Sequence, residues 1–275
     1  MTPTPGWVVS PATAIQLIQQ GATLLDARSA ELQADGILKG SIPVNWTEFT
    51  QPEAANSGKL LADDALLTEK LQGLGVFQGR PVVVVADPLR GWGEDGWIVW
   101  MLRSLGHPQA VMVDGGYPAL VKEGVLTTTR QSADEPQRGD FVVRRTDRWE
   151  IDRDTLRASL GSDRVAILDS REAQEYEGAT PYGEARGGHI PGAVHLYYKE
   201  LMDAAGSLLP PDEIHARLQK AGIPPEAEII AYCTAGVRSA WVTVVLTHVG
   251  RQAKSYSGSI LEWAAGDPQR FPLQP

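Results

Sequence analysis

The sequence predicts an α/β protein made of two similar domains, each a mainly parallel sheet with helices on both faces. Three observations carry this. Short β-rich apolar runs alternate with helical patterns, the arrangement a parallel sheet requires. The two halves of the chain repeat one another in order. And 275 residues with 43% hydrophobic content are enough for two separate cores.

The elements follow in sequence. Trp7 to Arg28 reads as a capped amphipathic helix running into a buried strand that closes on Asp26-x-Arg28, and Trp149 to Arg171 repeats this, closing on Asp169-x-Arg171. Ser10 and Asp152 are the expected N-caps. Ser41-Ile42-Pro43-Val44 is echoed by His189-Ile190-Pro191-Gly192-Ala193. The strand Pro81–Ala86, followed by Asp87, is echoed by Glu228–Tyr232, followed by Cys233. Helical patterns cover Ala65–Leu74, Trp97–Leu105, Ile214–Ala221 and Ser239–Val249. Val113-Asp114-Gly115-Gly116 is echoed by Ser255-Tyr256-Ser257-Gly258-Ser259. The offset stays between 142 (Trp7 to Trp149) and 148 (Pro43 to Pro191), which marks a duplication. The expected division is a first domain over 1–126, a linker over 127–149 and a second domain over 150–275. The polar stretch Gln131–Gly139 is expected to lie in a surface linker.

Composition narrows the function. A net charge of −9 with no basic cluster argues against a nucleic-acid surface. No apolar run approaches membrane-spanning length, and the N-terminus lacks a basic stretch followed by an apolar core. A single cysteine excludes an intrachain disulfide and a multi-thiolate zinc site, so no metal and no cofactor are expected. A working thiol must stay reduced, so a cytoplasmic location is the expectation; separately, the protein is expected to be a monomer.

That cysteine is the most informative residue. Cys233 falls where the apolar run Ile229–Tyr232 ends and a helical pattern begins, in Cys233-Thr234-Ala235-Gly236-Val237-Arg238-Ser239. At the carboxyl end of a buried strand, its sulfur would face the backbone N–H groups of Thr234 to Ser239 and a helix N-terminus, which favour a thiolate nucleophile. Gly236 lets the loop close where a side chain would force a wider turn. Arg238 offers a forked set of donors to an oxyanion, as substrate clamp and catalytic partner. Ser239 either donates to the loop or caps the helix. Arg186, on the Gly-rich run Ala185–His189, is a candidate second anion clamp, or else a solvent-facing charge. His189, Asp169, Arg171 and Trp263 are expected to be structural. Four residues separate Cys233 from Arg238, one fewer than in cysteine-based phosphatases, which favours sulfur transfer over phosphate-ester hydrolysis.

Asp-x-Arg after a strand, Gly188-His189-Ile190-Pro191-Gly192-Ala193, Tyr232-Cys233-x-x-Gly236-x-Arg238-Ser239, and a Gly-Gly-like turn with Glu262-Trp263 together resemble the rhodanese (thiosulfate sulfurtransferase) family. The resemblance spans the chain as the tandem form, with a catalytic C-terminal half and a degenerate N-terminal half. It implies two rhodanese-like domains and a Cys233 persulfide that carries a sulfane sulfur. The donor would be thiosulfate or another sulfane-sulfur donor. The acceptor would be cyanide or a thiol, including a thioredoxin-like or other protein thiol. The alternatives are a persulfide carrier in a sulfur relay and, within the enzyme class, a 3-mercaptopyruvate sulfurtransferase. The latter is disfavoured because its Cys-Gly-Ser-Gly loop and N-terminal histidine are replaced by Thr234-Ala235 and Ser41. Ala235 and Glu175 stand where vertebrate-type members carry a lysine and an arginine. Asp87 occupies the nucleophile's place in the first half, which is therefore expected to be catalytically inactive.

Overall fold

In a computed structural model that describes residues 6–129 and 136–275, the expected α/β alternation forms two compact units. Unit 1 takes in the chain up to Phe49, Leu61–Thr146 and Ala204–Leu208; unit 2 takes in Thr50–Leu60, Asp147–Asp203 and Leu209–Pro275. Each unit thus includes a short stretch from the other half of the sequence.

Unit 1 contains β1 (Val8–Val9), α1 (Pro11–Gln19), β2 (Thr23–Asp26), α2 (Ala30–Ala34), β3 (Ile37–Leu38), β4 (Ile42–Pro43), α3 (Asp64–Gly73), β5 (Val82–Val85), α4 (Glu94–Ser104), β6 (Ala110–Val113), α5 (Gly116–Lys122) and β7 (Thr127–Thr128). Its five-stranded sheet runs β1-β6-β5-β2-β4, every pair parallel. Period-two alternation explains the packing. Val83 and Val85 join Ala14 of α1 and Leu120 of α5 in one core cluster. Val82 and Val84, on the other face, are equally buried, and α4 packs on β5 and β6. Ser10 caps α1 by accepting the Thr13 N–H at 3.2 Å.

Unit 2 contains α6 (Arg153–Ser159), β8 (Val165–Asp169), α7 (Ala173–Tyr176), β9 (Val194–His195), α8 (Pro211–Lys220), β10 (Glu228–Tyr232), α9 (Val237–His248), β11 (Ala253–Ser255) and α10 (Ser259–Ala265). The sheet order is β11-β10-β8-β9, again parallel. Ile167, Ile230 and Tyr232 meet Leu156 of α6 and Ile260 and Trp263 of α10, so Trp263 is a core residue. Asp152 caps α6 through the Thr155 N–H at 2.9 Å.

The Asp-x-Arg pairs close the equivalent strands β2 and β8 in the same way. Arg28 pairs with Asp26 and donates to the Gly36 carbonyl at 2.7 Å; Arg171 pairs with Asp169 and donates to the Gly188 carbonyl at 2.8 Å. Each buried pair ties a strand end to the loop that follows, with its charge compensated and its donors used.

The stretch read as a linker is mostly exposed among its described residues but is tied to unit 1 at several points. β7 pairs antiparallel with β3. Farther on, Gly139 donates to the Gln72 carbonyl at 2.8 Å, and Phe141 is buried, its N–H bonded to the Val76 carbonyl at 3.2 Å. Phe141 and Val143 are buried and anchor this polar stretch, while Val142 between them is exposed. The Gln131–Glu135 part of the expected linker lies outside the described residues.

Candidate active site

The site forms at the carboxyl end of β10, which lies between β8 and β11. Parallel α/β sheets place ligands at such strand ends. Cys233 is the next residue, only 1% exposed and free of any disulfide. The chain then turns through Thr234, Ala235 and Gly236 into α9. Gly236 caps α9 at φ 81°, and a Cβ there would lie 2.6 Å from the Ser257 carbonyl oxygen. Conformation and space both demand glycine.

A second loop, after β11, supports the first. Ile260 and Leu261 donate backbone N–H bonds of 3.1 Å to the carbonyls of Cys233 and Thr234. The Cys233 N–H donates to Ser259 Oγ at 3.1 Å, and the same hydroxyl lies 4.0 Å from the sulfur while donating to the Tyr256 carbonyl at 2.8 Å. Ser259 holds a positive φ of 52°, among the described residues the only non-glycine to do so. Such backbone persists only where its surroundings over-determine it. With the loop carbonyls turned outward to these partners, the N–H groups of Thr234, Ala235, Gly236 and Val237 have no acceptor among the described residues. Four consecutive donors at the N-terminus of a twelve-residue helix, next to a sulfur, form a cradle for an anionic atom.

The role expected for Arg238 changes. It is buried, and its fork is engaged by Glu175 of α7: Nη1 to Oε2 at 2.7 Å and Nη2 to Oε1 at 2.8 Å. Thr234 completes the triad, donating its hydroxyl to Glu175 Oε1 at 2.6 Å and accepting from Arg238 Nη2 at 2.6 Å. Burial, the largest influence on Glu175, raises its pKa, yet the Arg238 hydrogen bonds and charge and the Thr234 hydroxyl outweigh it and hold the carboxyl below its usual range. Burial likewise opposes the charge on Arg238, and the Glu175 hydrogen bonds overcome it, so its pKa is raised. The guanidinium anchors Thr234 and the first turn of α9 to α7, with its charge balanced before any donor arrives. The exposed ring of Tyr182 lies over it, 6.0 Å from Cζ to centroid.

Arg186 also needs correcting as an anion clamp. It donates to the carbonyls of Ala264, Trp263, Gly266 and Phe271, and among the described hydrogen bonds none joins it to the Cys233 loop. Those carbonyls end α10 and begin the C-terminal segment, so Arg186 staples that segment down. Ser239 lies beneath the loop, its hydroxyl bonded to the Gly236 carbonyl at 3.1 Å and to Ser255 Oγ at 2.9 Å. His189 stacks on Tyr176 at 3.8 Å, with Nδ1 against the Tyr176 carbonyl, a structural placement.

The roles of two residues at the site escaped the sequence reading, which gave Glu175 only as a departure from the family pattern. Glu175 carried a signal in the Glu172-x-x-Glu175 spacing of a short capped helix, which the structure shows as a reciprocal capping box. Ser259 lay inside the repeated turn but looked like any small polar residue there. Among the described residues no three His, Cys, Asp or Glu side chains come together as a metal site, and no helix is long and apolar enough to cross a membrane.

Fold and site define a sulfurtransferase-class α/β protein with one cysteine loop. The rhodanese-like domain family matches residues 10–123 and again 152–266, and the chain belongs to that family. It is 31% identical over 244 residues to the thiosulfate sulfurtransferase of Pseudomonas aeruginosa, covering 87% of each chain. It is 33% identical over 214 residues to a probable 3-mercaptopyruvate sulfurtransferase of the same organism, covering 76% of this chain and 73% of the relative. The crystal structure of the 3-mercaptopyruvate sulfotransferase SseA from Escherichia coli shares the fold, with a TM-score of 0.77, 21% identity, and coverage of 93% of this chain and 99% of that one.

Proposed function

We propose that this rhodanese-family sulfurtransferase takes a sulfane sulfur from thiosulfate onto Cys233 and passes it to cyanide or a thiol. The observation that carries the reading is the set of four acceptor-free backbone N–H groups beside a solitary buried cysteine. The thiolate is the attacking form. It attacks the outer sulfur of thiosulfate, a sulfur–sulfur bond forms on Cys233, and the bond to the sulfonate breaks with its electron pair leaving as sulfite. The new terminal sulfur carries one negative charge, and the cradle N–H groups are oriented to hold it. In the second step cyanide or a thiolate attacks that terminal sulfur, and the Cys233 thiolate leaves, yielding thiocyanate or an acceptor persulfide. No proton has to be moved in either step, in keeping with structural placements for His189 and Asp169.

A persulfide carrier that receives sulfur from a partner protein is the second reading, favoured by the neutralisation of Arg238 by Glu175. A sulfur carrier protein of Thermus thermophilus is 25% identical over 242 residues. Thiocyanate formation from cyanide, measured side by side with thiosulfate and with 3-mercaptopyruvate as donor, decides. Turnover on thiosulfate well above that on mercaptopyruvate supports the first reading. Turnover on neither, with sulfur accepted from a protein persulfide, replaces it with the second.

A further inference from the structure

Gly58 lies 175 positions before Cys233 in the sequence, yet its stretch Thr50–Leu60 belongs to the catalytic unit. That stretch forms a small closed strap. Thr50 and Leu60 bridge antiparallel, and the Gln51 N–H bonds to the Lys59 carbonyl at 2.9 Å. The 3-10 turn Ala54–Asn56 packs on α10, and Lys59 pairs with Glu262 at 2.9 Å.

At the end of the strap Gly58 is buried against the back of the cysteine loop. A Cβ added there would lie 2.2 Å from the Ala235 carbonyl oxygen and 2.4 Å from that of Ser257. Gly58 has no left-handed φ, so its own backbone would accept alanine and close approach is the reason for glycine. Ser257 O is also the atom nearest the Cβ position of Gly236, so one carbonyl is held between two glycines.

We infer that Gly58 is a positioning residue for sulfur transfer: by backing the Ala235 carbonyl it fixes the Ala235–Gly236 peptide so that the Gly236 N–H stays turned toward the sulfur cradle. The peptide is trans, so a carbonyl pressed toward Gly58 sends the N–H of the next residue the opposite way. That N–H is among the four without an acceptor, and a carbonyl pushed off Gly58 would rotate or displace it. The inference rests on Cys233 being the sulfur-carrying residue.

The test uses the full chain. Sulfur loading from thiosulfate is followed by intact mass, and turnover with cyanide is measured for wild type, Gly58→Ala, Lys59→Met and Cys233→Ser. Gly73→Ala serves as a control, because nothing lies within 4 Å of its Cβ position. Relieving the clash moves the loop by about 1 Å, and a misplacement of that size costs roughly 100-fold in rate. Gly58→Ala is therefore expected to lower kcat by roughly 100-fold with KM changed less than about threefold, and to reach one sulfur per chain slowly. A defect confined to folding would reduce the loaded fraction and leave the rate of the loaded fraction intact, which overturns the inference. Lys59→Met loosens the strap without a clash and should lower kcat severalfold; if Gly58→Ala does not fold, an unchanged kcat in Lys59→Met overturns the inference. Full activity in Gly58→Ala alongside an inactive Cys233→Ser also overturns it while leaving the functional reading intact. An active Cys233→Ser removes the functional reading itself.

Discussion

The β5–α4 crossover of unit 1 and the β10–α9 crossover of unit 2 are the same structural step used in opposite ways. In each, a left-handed glycine, Gly93 or Gly236, caps a helix that is buried over most of its length. Asp87 follows the strand in unit 1, and its carboxylate accepts the N–H groups of Leu89 and Arg90 at 3.1 and 3.0 Å while pairing with the Arg90 side chain. The loop's donors are consumed within it, Leu89 and Arg90 by the Asp87 carboxylate, Gly91 by the Asp87 carbonyl and Trp92 by Glu94 Oε2. Cys233 accepts none of its loop's N–H groups, and those donors remain for a ligand atom. The capping glycine follows Cys233 by three residues and Asp87 by six, so both the residue and the loop length separate a self-satisfied turn from an anion cradle.

The second helical residue sharpens the contrast. It is Arg238 in unit 2 and Asp95 in unit 1, at 3% and 4% exposure. Arg238 faces Glu175, six residues after the Asp that ends β8; six residues after the Asp that ends β2 stands Leu32. Asp95 is held by the N–H groups of Ala86 and Gly96. Burial, opposed by the Gly96 N–H and reinforced by the charge on Glu94, pushes its pKa up to about 7.

Breaking the Arg238–Glu175 pair should have the largest effect. Arg238→Ala leaves a carboxylate buried without its cation, and such losses cost about 3–5 kcal/mol. A fall in denaturation midpoint together with sulfur transfer would show it; Arg238→Lys, which keeps charge without the fork, should recover part of the stability. An Arg238→Ala protein as stable as wild type would mean the pair contributes nothing net.

Glu175→Gln asks the functional half of the question. A unit charge acting through an effective dielectric of ~20 is worth on the order of 1–2 kcal/mol at several ångströms. Removing it should lower KM for thiosulfate about tenfold while reducing thermal stability at neutral pH. The pH dependence has a definite sign. The Glu175 pKa is depressed in the fold, so its stabilisation is present above the unfolded glutamate value of about 4.3 and is lost as pH falls through the native value. Glu175→Gln should therefore flatten the acid limb of the stability profile. A raised KM would instead make Glu175 a loop-positioning group rather than an opponent of the dianion.

The smallest effect on sulfur transfer belongs to unit 1. The Asp95 pKa is raised in the fold, so its contribution is complete below about 4 and disappears as pH climbs to about 7. Asp95→Asn should match wild type near pH 4, exceed it by about 4 kcal/mol at pH 8, and leave sulfur transfer unchanged. Urea midpoints at the two pH values measure this; equal midpoints at pH 8 would remove the contrast between the buried charges.

Local features of this protein are legible in its sequence, and distant ones are not. The Asp-x-Arg pairs, the Ser10 and Asp152 caps and the position of Cys233 each depend on a few neighbouring residues and a strand-to-helix transition. Arg238 is legible as an anion ligand because a guanidinium after a cysteine loop offers that chemistry. Its partner Glu175 lies 63 positions away and enters by tertiary packing. Arg186 reads as a loop cation until the carbonyls ending α10, about 80 positions on, absorb its donors. The membership of Thr50–Leu60 in the catalytic unit leaves no periodic or compositional trace at all.

Cys233 is the residue expected to carry the transferred sulfur. Intact mass after incubation with thiosulfate and removal of excess donor tests it directly, because the chain has a single thiol. The expected result is one added sulfur atom per chain, lost on addition of cyanide with formation of thiocyanate, and no adduct on Cys233→Ser. An equal adduct on Cys233→Ser would contradict it, as would a wild-type chain that releases sulfite without ever gaining sulfur.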